Sequence, residues 1–192
     1  MTGRTHDLGA ITALGVTFLV LSPSHISLST AILAILANLI GGITPDIDQP
    51  TAPLWRNLPV GRYFGKIFGM LSGGHRFLTH SLVGVALIAW LAWLLLNFLH
   101  PIMGAVNIDI VWWSFTIGVL SHLLFDLFTK EGVPLLLPVP IKFGFPPIKA
   151  LRITTGKFIE NWILFPGLVV LNLYIYMSHY GQLLTLVHSF QA

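Results

Sequence analysis

Residues 110–128 read IVWWSFTIGVLSHLLFDLF, a run of nineteen residues whose only ionisable members are His122 and Asp126. A membrane-spanning helix needs roughly 20 predominantly apolar residues, with a range of about 17 to 25. Because a bilayer offers the backbone no hydrogen-bond partners, a segment of this kind must be helical. The stretch predicts a transmembrane α-helix that carries a His and an Asp near its C-terminal end.

Four further apolar segments flank this run, and they are Leu8–Leu21, Ile26–Ile43, Leu82–Leu99 and Trp162–Met177. The third of them is long enough to span a bilayer and the second narrowly so, whereas the first and last need tilt or burial among the others. The tail, Tyr180–Phe190, is expected to form a surface helix or a partial sixth span. We therefore predict an all-α, polytopic transmembrane helix bundle of about five spans, with residues 1–192 forming a single integral membrane domain.

The composition agrees with a membrane protein, since 55% of the residues are hydrophobic and only 9% are charged. A soluble domain averages about 25% charged residues. We expect no secretory signal peptide, because Leu8–Leu21 is followed by Ser22-Pro23-Ser24-His25 without a small-residue cleavage pattern. The absence of cysteine excludes disulfides, Cys-ligated zinc and a thiol nucleophile. The basic residues form no stripe and no nucleic-acid motif is present, so a nucleic-acid partner is not expected.

The Lys and Arg residues predict the orientation of the chain in the membrane. They fall in three regions, and these are Arg4; Arg56, Arg62, Lys66 and Arg76; and Lys130, Lys142, Lys149, Arg152 and Lys157. With five spans, all three regions lie on one side of the bilayer. The positive-inside rule makes that side cytoplasmic. We therefore expect a multi-pass protein of the cell (inner) membrane, with the lipid bilayer as its partner.

The pair His122 and Asp126 is the first candidate for chemistry. Residues at i and i+4 lie on one face of a helix. Ionisable groups inside a hydrophobic segment are costly and usually face a cavity or a partner. An imidazole and a carboxylate together can bind a divalent cation, which would offset this cost. The alternative is a His–Asp hydrogen bond that pins two helices together.

Residues 73–81, GGHRFLTHS, form a second candidate cluster at the start of the third predicted span. His75 is expected to hang from the Gly-Gly loop and His80 to sit in the first helical turn, so that both reach one site from different directions. Arg76 and the free N–H groups of the helix start would suit a phosphate or another anion. The alternative treats Thr79 or Ser81 as a helix cap beside an interfacial His.

Residues 41–50, GGITPDIDQP, form a third cluster that follows the second predicted span. Two prolines prevent this stretch from being an extended helix. Held in a turn, Asp46 and Asp48 would supply one bridging and one terminal carboxylate to metal ions. The alternative is a solvated Asx-turn at the membrane exit.

His6 and Glu160 add candidates from two more segments on the same predicted face. A lone Glu at a helix start is more often a first-turn acid that the helix dipole favours. A mixed nitrogen and oxygen ligand set without Cys suits zinc, manganese or iron. Because the candidates outnumber the ligands of one zinc, two divalent ions roughly 3.5–4 Å apart are plausible, which is the arrangement used for displacement at phosphorus.

The same residues resemble the YdjM family of inner-membrane proteins, which includes LexA-regulated members and is regarded as a family of metal-dependent hydrolases. The matching pieces are Thr5-His6, Pro45-Asp46-Ile47-Asp48, His75-Arg76, Thr79-His80-Ser81, Ser121-His122, Asp126, Thr129, Gly132 to Leu136, Pro138, Thr155-Gly156 and Glu160. The family is grouped with zinc-dependent phospholipase C and P1-type nucleases. The resemblance implies that the metal ligands are His6, Asp46 or Asp48, His75 or His80, His122 and Asp126.

Two functions follow as expectations. The first is a membrane-bound, metal-dependent hydrolase acting on a phosphoester, such as a lipid phosphate or a phospholipid, with Arg76 as anion clamp and Glu160 or a non-bridging Asp as general base. The second is a non-catalytic membrane protein, a metal or ion carrier, sensor or regulator, whose metal site is structural. Motifs of zinc proteases and of serine hydrolases are absent from the sequence.

Overall fold

The computed structural model describes residues 1–21, 26–74, 76–139 and 141–189. Its α-helices are α1 (Gly3–Leu21), α2 (Leu28–Ile43), α3 (Pro53–Arg56), α4 (Gly61–Leu71), α5 (Leu82–Met103), α6 (Ile108–Leu127), α7 (Phe165–Ser178) and α8 (Tyr180–Ser189). Short 3₁₀ turns cover Thr44–Asp48 and Lys149–Leu151, and a π turn, Glu160–Leu164, leads into α7. Within the described ranges β-structure is limited to two isolated bridges. The predicted all-α class is confirmed.

Four helical stretches are long and apolar enough to cross a membrane, and they are Leu28–Asp48, Leu82–Met103, Ile108–Leu127 and Glu160–Ser178. The predicted transmembrane helix bundle is therefore confirmed, with an approximate number of spans. The 19-residue α1 is not among the four, because Arg4, His6 and Asp7 lower the hydropathy of its first turns. With ten residues, α8 has a length of about 15 Å, half of a bilayer core.

Helix α6 is the centre of the bundle and packs against α1, α2 and α5, while α1 also contacts α2 and α7. The approach of α2 to α6 is so close that a Cβ on Gly41 would collide with the carbonyl oxygen of Phe115. Small residues permit such contacts between membrane helices, whose association depends on close packing. An apolar cluster of Val85, Val119 and Leu123 joins α5 to α6.

Polar side chains fill the interior of the bundle at the end where α1 begins and α6 ends. Four of the largest fully buried side chains are His6, His80, His122 and Glu160, whereas large apolar side chains such as Trp90, Leu95 and Phe98 on α5 are exposed. Lipid accepts apolar surface, and buried polar groups in a membrane protein are usually functional or paired. The burial pattern therefore separates a lipid-facing exterior from a polar centre.

Three predicted boundaries differ in ways that affect the site. Helix α1 begins at Gly3 rather than Leu8, so His6 belongs to the helix. Helix α2 runs directly into a 3₁₀ turn with Pro45 near its start, so Asp46 and Asp48 lie on helical backbone and not in an open turn. Helix α5 is capped by Ser81, whose hydroxyl accepts from the N–H of Gly84 at 3.0 Å. His80 therefore precedes the helix, and the prediction that it sits in the first turn was wrong.

Candidate metal centre

His122 and Asp126 of α6 lie at the middle of the polar cluster, and both side chains are fully buried. Nδ1 of His122 donates to the carbonyl oxygen of Gly42 at 2.6 Å, an acceptor that the close packing of α2 against α6 brings within reach. A hydrogen bond of this kind fixes the tautomer and orientation of an imidazole. Nε2 of His122 is consequently the nitrogen whose lone pair is available inside the cluster.

His6 of α1 stacks flat on the ring of His122, with ring centroids 3.7 Å apart and an interplanar angle of 8°. Its Nε2 lies 3.3 Å from Oδ1 of Asp126, and the same oxygen is 2.6 Å from the amino group of Met1. The His6 imidazole of α1 and the Met1 amino group, which precedes the helix, therefore meet at one edge of the Asp126 carboxylate.

The segment before α5 has an unusual backbone that places Arg76. Gly73 and Gly74 have φ angles of +80° and +96°, and Arg76 itself has φ +58°. A non-glycine residue in this left-handed region is uncommon and often marks a functional position. The conformation allows the N–H of Arg76 to donate to Oδ2 of Asp48 at 2.8 Å.

The guanidinium of Arg76 reaches the opposite edge of the Asp126 carboxylate. Its Nη2 lies 2.6 Å from Oδ2 of Asp126, and its Nη1 donates to the hydroxyl of Thr129 at 3.1 Å. The Thr129 hydroxyl in turn donates to the carbonyl oxygen of Asp126 at 2.8 Å. Arg76 is thus held against α6 by Asp126 and Thr129, and it neutralises part of the buried negative charge.

His80 joins the cluster from the residue before the α5 cap. Its Nε2 lies 3.6 Å from Oδ2 of Asp126 and 3.8 Å from Oδ1 of Asp46, and its Nδ1 is 2.9 Å from the hydroxyl of Thr79. Burial acts to lower the pKa of His80, but hydrogen bonds and charge from Asp126 and Asp48 outweigh it, so the pKa is raised. The surroundings therefore favour positive charge at this position.

Asp46 completes the cluster on its accessible side. Its Oδ1 lies 3.7 Å from Nε2 of His122, and its side chain is 24% exposed, whereas those of His80 and His122 are fully buried. Two groups of three side chains have ligand atoms within 4.8 Å of one another, His6 with His122 and Asp126, and Asp46 with His80 and His122. The two groups share His122, so they form one continuous centre.

The unpartnered nitrogens of this centre fit a divalent metal ion. Among the described residues, Nδ1 of His6 and Nε2 of His122 make no hydrogen bond, although both atoms are buried. Buried polar atoms are normally hydrogen-bonded. Imidazole nitrogens beside carboxylates suit zinc, manganese or iron. The predicted metal residues His6, Asp46, His80, His122 and Asp126 are therefore brought together, and the centre could hold a metal ion.

Asp48 lies behind His80 rather than among the converging ligand atoms. Its Oδ2 accepts from the N–H of Arg76 and, at 2.6 Å, from the hydroxyl of Thr79. The same oxygen is 3.7 Å from Nδ1 of His80. A carboxylate on the far nitrogen of a ligand imidazole orients that ring, so the geometry favours Asp48 as an orienting residue. His75, also predicted as a ligand, lies outside the described residues.

Glu160 is fully buried, and hydrogen bonds engage both of its carboxylate oxygens. Oε1 accepts from the N–H of Thr2 at 2.6 Å and from the hydroxyls of Thr2 and Thr5 at 2.7 and 2.8 Å, while Oε2 accepts from the N–H of Gly156 at 2.7 Å. The Glu160 carboxylate therefore fastens the start of α7 to the start of α1, one residue before His6.

The residues that sequence reasoning missed are mainly those that hold the ligands in place. Thr79 was considered only as a cap, yet it bridges Asp48 and His80. Sequence reasoning assigned no role to the carbonyl of Gly42 or to the hydroxyls of Thr2 and Thr5 that bind Glu160. Threonines directly before both His6 and His80 were a visible signal, because a hydroxyl adjacent to a ligand can reach its neighbours.

Comparison with known proteins identifies the family. A family model described as "YdjM inner membrane protein" matches residues 1–184. The protein named "Uncharacterized protein YvsG" from Bacillus subtilis is 26% identical over 185 residues, which cover 95% of this chain and 99% of that protein. The proteins named "Inner membrane protein YdjM" from Escherichia coli and Shigella flexneri are each 36% identical over 109 residues.

Those 109 residues cover 54% of this chain and 48% of either YdjM protein, so the match spans about half the length of these two relatives. No solved structure matches the chain. The family match extends over nearly the whole chain and includes every residue of the metal centre. The chain is a member of the YdjM family of inner membrane proteins.

Proposed function

We propose that this protein is a membrane-bound, metal-dependent hydrolase that acts on a phosphoester, a lipid phosphate or a phospholipid, at the cytoplasmic face. The supporting observation is the convergence of three imidazoles and two carboxylates in one buried centre. Perturbed, densely packed titratable groups of this kind cluster at functional sites. All ten Lys and Arg residues lie near the start of α1, between α2 and α5, or between α6 and α7, the parts of the chain that adjoin the centre. The positive-inside rule therefore supports a cytoplasmic position.

The residues divide naturally between two ions. Because Nδ1 of His122 is bonded to Gly42, this histidine can offer a single nitrogen to a single ion. Asp46, His80 and His122 would hold one ion, and His6 with Asp126 would hold a second. Zinc fits these ligands, with manganese or iron as alternatives. When bound, divalent ions would supply the positive charge that stabilises phosphoryl oxygens during displacement.

Asp46 is the carboxylate best situated for acid–base chemistry. Its partial exposure marks the side from which a substrate would enter. Glu160 was expected as general base, but its four hydrogen bonds suit a positioning role for α1 and His6. A general base must be within hydrogen-bond reach of the proton that it takes. With Oδ1 of Asp46 facing His80 and His122 as a ligand, Oδ2 is left to take the proton, so we assign this role to Asp46 and the positioning role to Glu160.

Arg76 combines orientation with charge. Its ion pair with Asp126 holds that carboxylate in place, and its Nε has no hydrogen-bond partner in the described part of the chain. A guanidinium that retains a free donor beside a phosphoester site would favour the anionic substrate.

The test compares metal content and hydrolysis in detergent-purified protein. We expect wild-type protein to retain a divalent metal, and His122→Ala and Asp126→Asn to lose it. His100→Ala is the matched control, because His100 is exposed near the opposite end of α5. Wild-type protein should release phosphate from phosphatidic acid or cleave a phosphodiester probe, and both ligand variants should not. A wild-type metal content no higher than that of His122→Ala would contradict the proposal.

A structural metal site is the second candidate, and the depth of burial favours it. His6, His122 and Asp126 expose 1% or less of their surface. A metal ion bound there would cross-link α1 to α6 in a closed site. Structural sites are closed, whereas catalytic sites keep a position open. Metal retained by wild-type protein, without phosphoester hydrolysis above the level of the His122→Ala variant, would favour this candidate.

A further inference from the structure

Helix α4 lies against the protein through its glycines. Gly61, Gly65 and Gly69 are buried, and at 3.6 residues per turn they fall on one face, within an arc of about 80°. A Cβ on Gly65 would collide with the ring of Trp55, and one on Gly69 would approach the carbonyl oxygen of Asp48 to 2.6 Å. The protein-facing side of α4 is therefore bare backbone, packed on the segment next to the metal centre.

The opposite face of α4 consists of large apolar side chains. They are Tyr63, Phe64, Ile67, Met70 and Leu71, and all of them are exposed, with Leu71 at 81%. An amphipathic helix of a soluble protein turns its apolar stripe toward the core. In α4 the arrangement is reversed, so its apolar surface needs a partner outside the chain.

Cations flank this apolar face. Arg62 and Lys66, one turn apart on α4, are both exposed, and Arg56 in the preceding turn is exposed as well. In the helical projection, Arg62 and Lys66 fall between the glycine face and the apolar face. An apolar stripe bordered by Lys and Arg is the pattern of a helix that lies in a membrane interface with anionic headgroups.

The chain on either side of α4 keeps it at the membrane boundary. Twelve residues separate the helical stretch Leu28–Asp48 from α4, and ten residues separate α4 from Leu82, where the apolar helix α5 begins. The N–H of Gly74 donates to the carbonyl oxygen of Gly69 at 2.7 Å, which fixes the end of α4 to the Arg76 segment. Both attachments lie at the same end of the bundle.

We propose that α4 is an interfacial helix, whose apolar face inserts into the leaflet at the site end and whose Arg62 and Lys66 contact anionic phospholipid headgroups. Leu82 and Val83, at the start of α5, are also exposed. An apolar patch facing water would be unfavourable for a protein at this boundary. The inference does not depend on a hydrolase activity, because it concerns α4 alone.

Contacts between neighbouring residues link α4 to the metal centre. Gly69 lies against the backbone of Asp48, and Asp48 is bonded to Thr79 and Arg76. Lipid binding to α4 would therefore hold the segment that orients His80.

The natural absence of cysteine makes site-directed labelling a direct test. Ile67→Cys and Leu71→Cys carry an environment-sensitive fluorophore on the apolar face, and Glu131→Cys places it on an exposed loop residue at the same end. In nanodiscs of phosphatidylcholine and phosphatidylglycerol, the first two labels should be quenched by lipids with a nitroxide near the headgroup and protected from aqueous iodide. The Glu131→Cys label should show the reverse.

The headgroup contact is tested by comparing how strongly two nitroxide-labelled lipids, phosphatidylglycerol and phosphatidylcholine, quench the fluorophore at Ile67→Cys. The ratio of the two measures the preference for the anionic lipid. Arg62→Gln with Lys66→Gln should lower the preference for the anionic lipid, on the order of five-fold for each charge removed. Lys149→Gln with Lys157→Gln removes the same charge from exposed residues elsewhere at this end and should lower it less. An unchanged preference in the α4 variant would overturn the headgroup contact.

Two further outcomes would overturn the insertion itself. Iodide quenching at Ile67→Cys and Leu71→Cys equal to that at Glu131→Cys would show that α4 faces water. Shielding of both labels from lipid and from iodide would show that a protein, such as a second copy of this chain, covers the helix instead.

Discussion

Gly118 of α6 lies directly against the carbonyl oxygen of Asn38 in α2, with no side chain between the two backbones. Nδ2 of Asn38 donates to the carbonyl oxygen of Ser114 at 3.0 Å, one turn earlier on α6. His122 follows Gly118 by one turn and meets Gly42, which follows Asn38 by one turn. The register of α2 on α6 thus determines where the central imidazole of the metal centre points.

Gly118→Ala should therefore destabilise the protein. The added Cβ would meet backbone atoms, which cannot move aside as a flexible side chain can, and overpacking of this kind costs about 1–3 kcal/mol. Thermal unfolding of detergent-purified protein measures the effect. Gly167→Ala is the control, because nothing lies within 4 Å of a Cβ there, and alanine is the better helix former. An equal loss in both variants would mean that close helix contact is not the cause.

Thr79→Val should weaken metal binding while keeping the shape of the side chain. The substitution removes the hydroxyl that links Asp48 to Nδ1 of His80. Loss of an orienting partner of this kind typically lowers metal affinity about 10–100-fold. Titration with a competing chelator measures the affinity, and Thr154→Val, at an exposed position, is the control. Unaltered affinity in the Thr79→Val variant would argue that the Asp48 link does not orient His80.

The two roles considered for Glu160 make opposite predictions. If Glu160 is a positioning residue, Glu160→Ala leaves the donors of Thr2, Thr5 and Gly156 without their acceptor. Each buried group left unsatisfied destabilises the fold by about 1–3 kcal/mol. Thermal stability and metal affinity should fall together, and Glu160→Gln should lie between Ala and wild type. A general base would give another result, with hydrolysis lost in Glu160→Gln while stability and metal content stay at wild-type levels.

Arg76→Lys should impair the centre even though the charge is retained. A lysine has no planar fork with which to contact Asp126 and Thr129 together. Breaking a buried ion pair leaves an uncompensated charge. Complete removal of one partner lowers the free energy of unfolding by about 3–5 kcal/mol. We expect a smaller loss for Lys, together with reduced metal affinity. Arg56→Lys, at an exposed site on the same side, should match wild type in both measurements.

Much of the transmembrane architecture could be predicted from hydropathy, because a bilayer imposes length and apolar composition on each span. The residues 110–128 became α6 with little change at either end. The start of α1 could not be predicted in this way. Its first turns carry Arg4, His6 and Asp7. In the folded chain Asp126 contacts His6, and Asn161 accepts a hydrogen bond from Arg4.

The ligands could be nominated from residue type and spacing, but their roles depended on contacts between distant segments. Asp46 and Asp48 are indistinguishable in sequence, two residues apart and between the same prolines. In the structure, Asp48 lies behind His80, where its carboxylate accepts from the N–H of Arg76, on left-handed backbone, and from the hydroxyl of Thr79. Asp46 is left at the open side. Arg76 is predicted to bind an anion, and the sequence alone could not show that its guanidinium also pairs with Asp126.

The candidate metal centre draws its side chains from α1, the 3₁₀ turn after α2, the residue before α5, and α6. Only the assembled bundle can present all of them to one ion, so an ion bound there would favour the folded chain by mass action. Each tenfold rise in free ion above the dissociation constant would add about 1.4 kcal/mol to folding. Copies synthesised in a metal-starved cell would then be the first to meet the membrane's proteases, and the abundance of the protein would follow the supply of its ion.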